Sequence, residues 1–200
     1  MIITIGRQHG SKGHEVARCL SQMLGIPSYS KEIVDEAAAN SSFSKEIFDS
    51  YDERRVAAYI MPSPDYAGIH RGFQLNMEVA NAQFEAVRSL ADKGDGIFIG
   101  RCADYVLRSR PGIVRVFIRS DLPIRIRTVM ERKGIDEDAA RKLIKQVDKD
   151  RASYYRYYTD QIWGEAANYD LVVDTGRIST AGAAQVIRTF AEELQKTLEA

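Results

Sequence analysis

The residues with the most chemical potential stand close to the start of the chain, in Gly6-Arg7-Gln8-His9-Gly10-Ser11-Lys12-Gly13-His14. Glycines let successive backbone N–H groups curl around an anion, and a helix opening just beyond adds partial positive charge. Lys12 supplies a mobile cation for outer phosphates. The segment is expected to bind a polyphosphate. It departs from G-x-x-x-x-G-K-[ST] at two places, with Ser11 where the second glycine belongs and Gly13 where a magnesium-binding hydroxyl belongs. Ser11, or a water, is the substitute ligand this reading gives to Mg²⁺. A glycine turn joining strand to helix, with Lys12 merely solvated, is the competing reading. His9 and His14 are weak metal candidates, since no further histidine or paired cysteine supports them.

A second group of residues suits anions as well. Arg101 follows Gly100 at the end of an apolar run, and Arg151 and Arg156 lie in a basic, tyrosine-rich segment with Lys145 and Lys149. Each arginine can fork onto two phosphate oxygens, or pair with a surface carboxylate. Asp104 and Asp148 could contact a sugar or base, or could cap a helix or form a salt bridge. Tyr154, Tyr155, Tyr157 and Tyr158 put four tyrosines in five residues, more than one helix face can bury. Core packing is the favoured role for most of them, with stacking on a base as the alternative.

These residues need elements to carry them. The β-branched runs at 2–5, 96–100, 113–118 and 171–173 read as buried strands, and the apolar spacing at 15–24, 78–93, 122–133, 137–158 and 180–198 reads as helices. Alternation of the two predicts an α/β protein with a mostly parallel sheet. Ligands of such sheets sit beyond the carboxyl ends of the strands, where Gly6, Gly100, Arg119 and Asp174 fall. Residues 30–77, with polar helix-like pieces around Met61-Pro62-Ser63-Pro64, and residues 134–163 read as excursions from the core.

Length and charge narrow the class. Two hundred residues suit one domain, and 28 basic against 28 acidic residues give no net charge. A long nucleic acid therefore finds no general basic field, so an anion site must be local. Cys19 and Cys102 are too few for a disulfide framework or a zinc cluster, which fits a reducing, cytoplasmic setting. No apolar stretch approaches the ~18 residues of a membrane span, so no membrane role is expected.

Four stretches together carry a resemblance: Ile3-Thr4-Ile5-Gly6-Arg7-Gln8-His9-Gly10-Ser11, Ile99-Gly100-Arg101-Cys102-Ala103-Asp104, Val147-Asp148-Lys149-Asp150-Arg151-Ala152-Ser153-Tyr154-Tyr155, and Asn168-Tyr169-Asp170-Leu171-Val172-Val173-Asp174-Thr175. On these the chain resembles the cytidylate kinase-like family, a branch of the P-loop nucleoside monophosphate kinases, over nearly its whole length. The resemblance implies a single P-loop domain, 1–200, built as a three-layer α/β sandwich on a five-stranded parallel sheet. Residues 30–77 would then be a helical insert holding the acceptor nucleotide, and residues 134–163 a helical lid over the donor.

The implied activity is an ATP-dependent phosphotransferase, moving the γ-phosphoryl group of ATP, with Mg²⁺, to CMP or dCMP. In that scheme Lys12 and the loop from Gly6 to His14 take the donor phosphates, Arg101 the acceptor phosphate, and Arg151 with Arg156 the transferring group. Asp104 and Asp148 would contact the acceptor, and Arg54, Arg55 or Arg71 would clamp its phosphate from the insert. A catalytically weak nucleotide-binding regulator and a kinase for another small metabolite are the alternative readings. Two departures bear on the acceptor. The family's cytidylate kinases have Gly-Arg-Asp contiguous, whereas Asp104 comes three residues after Arg101, and Ile144 stands where their lid has a basic residue.

Overall fold

The computed structural model describes residues 1–51 and 66–199. At its centre is β1 (Ile2–Arg7), flanked by β3 (Gly96–Ile99) on one side and β4 (Ile113–Arg119) on the other. The short β2 (Ser28–Tyr29) lies outside β3, and β5 (Leu171–Asp174) lies outside β4. Every pairing is parallel, with Ile3 opposite both Ile97 and Val114 and Ile5 opposite Ile99 and Val116.

Strand alternation divides the apolar side chains between two faces. Ile3, Ile5, Ile97, Ile99, Val114, Val116 and Ile118 share one core with α1 (Gly13–Leu24) and α8 (Thr180–Glu199), which contribute Val16, Leu20, Ala183 and Ile187. Phe98 enters the opposite core with Ile33 and Val34 of α2 (Lys31–Ala39), Phe48 of α3 (Lys45–Tyr51) and Val87 of α4 (Tyr66–Asp92). The four-residue α5 (Ala103–Val106) adds Val106 to that second core. Helices on both faces of a parallel sheet make the three layers of an α/β P-loop fold.

The four runs expected as strands are strands. β2 is only two residues long, too short to leave a period in the sequence. The helix expected over 78–93 begins at Tyr66, because Gly68, Gly72 and several polar residues dilute its apolar spacing before that point. Met61-Pro62-Ser63-Pro64, Arg54 and Arg55 lie outside the described residues, as does the side chain of Arg71.

Past β4, α6 (Leu122–Lys133) ends at Gly134, and α7 (Glu137–Thr159) starts on the Asp136 carboxylate, which accepts from Ala139 N at 2.8 Å. Ile126 and Val129 of α6 bury Ala140 and Ile144 of α7. Ile144, at a position where the family's lid has a basic residue, is thus a core residue. Farther along α7, Tyr154 and Tyr155 are buried with Cys102 at the end of β3. The chain then returns through a bidentate pair, Asp170 with Arg115 (2.7 and 3.2 Å), which fixes the entry of β5 beside β4.

Candidate functional site

The loop between β1 and α1 is held from three directions. Gln8 N donates to Ile118 O at 3.0 Å while Gln8 Oε1 accepts from Ser120 N at 3.0 Å, so β4 clamps the point where the chain leaves the sheet. Ser11 N reaches Gln8 O at 3.3 Å, closing a tight turn. Thr175, just after β5, donates from Oγ1 to Ser11 O at 2.8 Å. Gly10 has φ +81°, and a Cβ there would stand 2.8 Å from the backbone oxygen of Arg125, so α6 presses directly on the loop.

Lys12 carries the next positive φ, 60°, immediately before α1, and Gly13 is the first helical residue. The first N–H groups of α1 have no acceptor within the helix, and its positive dipole end opens beside the loop, as an anion-binding turn requires. The helix start corrects the register expected from sequence by one residue: counted from Gly6, Lys12 falls at the lysine of the P-loop pattern, but α1 opens at Gly13, so Gly13 holds the helix-start place of that lysine and Lys12 stands where the pattern has its second glycine. A Cβ at Gly13 would lie 2.7 Å from Cβ and 3.0 Å from Cγ of Arg7.

Ser11 is fully buried, and its Oγ bonds with Gln8 O at 2.9 Å and Ile118 O at 3.1 Å. It is a structural hydroxyl rather than the metal ligand expected from sequence. Among the described residues no three His, Cys, Asp or Glu side chains gather as a metal site. With its hydroxyl held between the Gln8 and Ile118 carbonyls, Ser11 does not fit the Mg²⁺ ligand role expected of it. His14 is exposed on the first turn of α1.

Beside the loop, the carboxyl ends of β1 and β3 and the facing side of α7 enclose a cleft. Gly6, Arg7, Gly100, Arg101, Asp104 and Arg151 are among the residues lining it. Arg7 is 6 % exposed and Arg101 4 %. Arg101 sits at φ 50° and donates to Ile99 O (3.2 Å) and Ser30 Oγ (3.3 Å), bonds that aim its guanidinium along the strand ends. Arg151 donates to the carbonyl of Arg7 at 3.1 Å, bringing the helix expected to be a lid against the last residue of β1.

Asp104 is buried, and its Oδ2 accepts from Tyr155 Oη at 2.6 Å; the same hydroxyl lies 2.9 Å from Gln161 Oε1. Burial pushes the Asp104 carboxyl above its ordinary range, with the Tyr155 bond opposing. Tyr155 itself is pushed up, first by burial and then by the Asp104 charge. Asp104, expected at the acceptor, lines the cleft, and Tyr155 of α7 already holds one of its carboxylate oxygens.

Two expected site residues are elsewhere. Asp148, expected at the acceptor, accepts from His9 N at 2.7 Å and pairs with Arg125 at 2.5 Å. One carboxylate oxygen thus sits on an amide of the loop expected to hold donor phosphates, because Asp148, midway along α7, faces that loop and Arg125 of α6. Arg156, expected on the transferring group, has a 59 % exposed side chain paired with Asp160 at 3.4 Å. Five residues past Arg151, about 140° around the helix, it looks away from the cleft.

His9 is the loop's other ionisable group. Burial, then the positive charge of Arg151, holds its imidazole down at about 4, with Asp148 pulling the other way. Its Nε2 is buried without a hydrogen-bond partner among the described residues. His9 is therefore neutral at physiological pH and contributes no cation. Nothing in the sequence singles out Arg125, Ser30 or Thr175 for these contacts. Each acts on a loop or cleft residue from a distant element, and a lone arginine, serine or threonine on its own element carries no signal of that contact.

The comparisons with known proteins follow the same outline. The model of the cytidylate kinase-like family matches residues 2–177. A cytidylate kinase of Methanopyrus kandleri is 27% identical, over 97% of this chain and 94% of its own length. A cytidylate kinase of Methanothrix thermoacetophila is 28% identical, over 93% of this chain and 95% of its own. Among solved structures, an uncharacterized protein from Eubacterium ventriosum aligns with TM-score 0.74 at 30% identity, covering 96% of this chain and 98% of that one. A shikimate kinase from Bacteroides thetaiotaomicron aligns with TM-score 0.54 at 12% identity over 100% of this chain and 99% of its own, a likeness of fold alone.

Proposed function

The chain belongs to the cytidylate kinase-like family, and on that premise we propose that it transfers the terminal phosphoryl group of ATP to a nucleoside monophosphate, CMP or dCMP. A P–O bond forms between an oxygen of the acceptor phosphate and the γ-phosphorus. The bond to the β,γ-bridging oxygen breaks, and ADP leaves with that electron pair. Such a transfer asks little covalent chemistry of the protein; it asks for aligned phosphates, excluded water and fixed positive charge.

The observation that carries the reading is the meeting of Arg151 with the Arg7 carbonyl at 3.1 Å, in a cleft that Arg101 also lines, next to the first turn of α1. Donor phosphates at the loop and an acceptor phosphate at Arg101 would then share this cationic wall. The cytidylate kinases among its relatives supply the acceptor. Arg101 takes the acceptor phosphate, and Asp104, with Tyr155 and the rest of the cleft wall, borders its sugar and base. ATP arrives with its own Mg²⁺.

A second reading is favoured by one contact. Asp148 occupies the His9 amide, as a phosphate oxygen would, which suits a nucleotide-responsive regulator whose lid engages the loop in place of ligand. A coupled assay of ATP with a panel of nucleoside monophosphates separates the two. ADP release that depends on CMP or dCMP supports transfer; ATP binding by calorimetry without turnover of any acceptor supports the regulator.

A further inference from the structure

We propose that Arg7, rather than Lys12, is the loop cation that meets the transferring phosphoryl group. The inference rests on the phosphoryl-transfer reading above and names the residue that takes the place of the P-loop lysine. Three observations lead to it.

The first is the order of residues at the helix start. In the P-loop pattern a lysine follows the second glycine directly and reaches the outer phosphates. Here the left-handed residue just before α1 is Lys12, and the position that follows is Gly13, which has no side chain. Lysine and glycine have exchanged places, so the lysine is carried by a residue whose backbone turns the other way.

The second is what fills the space above Gly13. A Cβ built there meets Arg7 Cβ at 2.7 Å and Arg7 Cγ at 3.0 Å. Real side chains do not approach so closely, so Arg7 and a side chain at position 13 exclude each other. The stem of Arg7 runs where the stem of a helix-start lysine would begin. Gly13 is the residue that admits it.

The third is destination. Arg7 is 6 % exposed and lines the cleft together with Arg101 and Arg151; among the described residues Lys12 is not part of that lining. The carbonyl of Arg7 receives the Arg151 guanidinium, so the arginine of α7 and the arginine that ends β1 are brought to one place. A guanidinium is charged at every working pH and offers a planar fork to two oxygens of one phosphoryl group. Charge spreads over those oxygens in transfer, which is where such a fork acts.

Swapping the arrangement tests it. Arg7→Gly is expected to lower kcat for ATP with CMP or dCMP by about 10²- to 10³-fold, the loss typical of removing one donor to a developing charge. Lys12→Ala is expected to cost no more than about tenfold. The double variant Arg7→Gly with Gly13→Lys, which restores a lysine at the first helical position and removes the clash, is expected to recover at least about tenfold over Arg7→Gly alone. Equal losses from Arg7→Gly and Lys12→Ala, with no recovery in the double variant, overturn the inference. Should Arg7→Gly fail to fold, Arg7→Lys keeps a charged stem and is compared in its place: wild-type-like melting with a loss of kcat larger than that of Lys12→Ala supports the role, and the reverse order removes it.

Failure of the transfer reading is distinguishable. If wild-type protein turns over no acceptor, calorimetry of ATP binding decides: affinity weakened more by Arg7→Gln than by Lys12→Ala keeps Arg7 as the phosphate cation, and the opposite order discards it. A wild-type chain that binds no ATP discards both.

Discussion

His9 shows how a single side chain is set by its surroundings. Its imidazole is half-buried, loses hydration, and feels Arg151, so its folded value falls to about 4 from the ordinary 6.5. Between those values the unfolded chain takes up a proton that the folded chain refuses. Stability therefore declines as pH falls from about 6.5 toward 4 and is insensitive to this group above that window. Urea midpoints of wild type and His9→Gln across pH 4 to 7.5 isolate the effect from carboxylates titrating alongside. The wild type should lose more stability on acidification than His9→Gln, and parallel curves would remove His9 as the source. At this scale the sequence was informative about residue type and poor about partner. Arg7, Arg101 and Asp104 stood out by type and place and do line the cleft. Asp148 and Arg156 stood out equally, yet one lies on the loop amide and the other in solvent, because helix phase and tilt across α7 decide which face meets the strands. A hydroxyl in the loop suggests a ligand at Ser11, and the Ile118 carbonyl, 107 residues away in sequence, makes it a strut instead.

Elements transmit these constraints. The loop and α6 meet at Gly10, whose φ of +81° and 2.8 Å approach to the Arg125 carbonyl both exclude a side chain. Gly10→Ala combines a left-handed penalty of about 1–2 kcal/mol with displacement of a backbone oxygen, and a total near 3 kcal/mol is expected. Gly134→Ala is the control: φ is +64° there, but nothing lies within 4 Å, so only the conformational penalty applies. Chemical denaturation of the two variants should separate them by about 1–2 kcal/mol, and equal losses would mean that α6 gives way freely. β1, β3 and β4 are readable because a strand buried on both faces is a plain apolar run, and the edge strand β5 through its β-branched Val172 and Val173. β2 and α5 are not, at two and four residues, and the start of α4 is masked by glycine and polar residues. Nor does a helical pattern tell whether a helix stands away from the core. Residues 134–163 read as an excursion, while Ile144, Tyr154 and Tyr155 of α7 are 2 %, 4 % and 4 % exposed.

The whole molecule assembles the site from parts that only the fold brings together. Arg7 ends β1, Arg101 follows β3 and Arg151 lies on α7, separated by 94 and then 50 residues along the chain. An unfolded chain holds none of this geometry, so a nucleotide that uses it binds the native state alone and must raise the melting temperature. At a hundredfold excess over Kd the gain is ~2.7 kcal/mol. For a domain of this size each kcal/mol is worth roughly 2–4 °C, so ATP should shift the transition by about 5–10 °C. A long nucleic acid should produce no comparable shift, since 28 basic and 28 acidic residues cancel and leave no general basic field. Scanning fluorimetry with ATP, CMP, dCMP and an oligonucleotide reads this directly. If ATP at millimolar concentration leaves the transition where it was, the joined ends of β1, β3 and α7 do not form a nucleotide site, whatever the family to which the chain belongs.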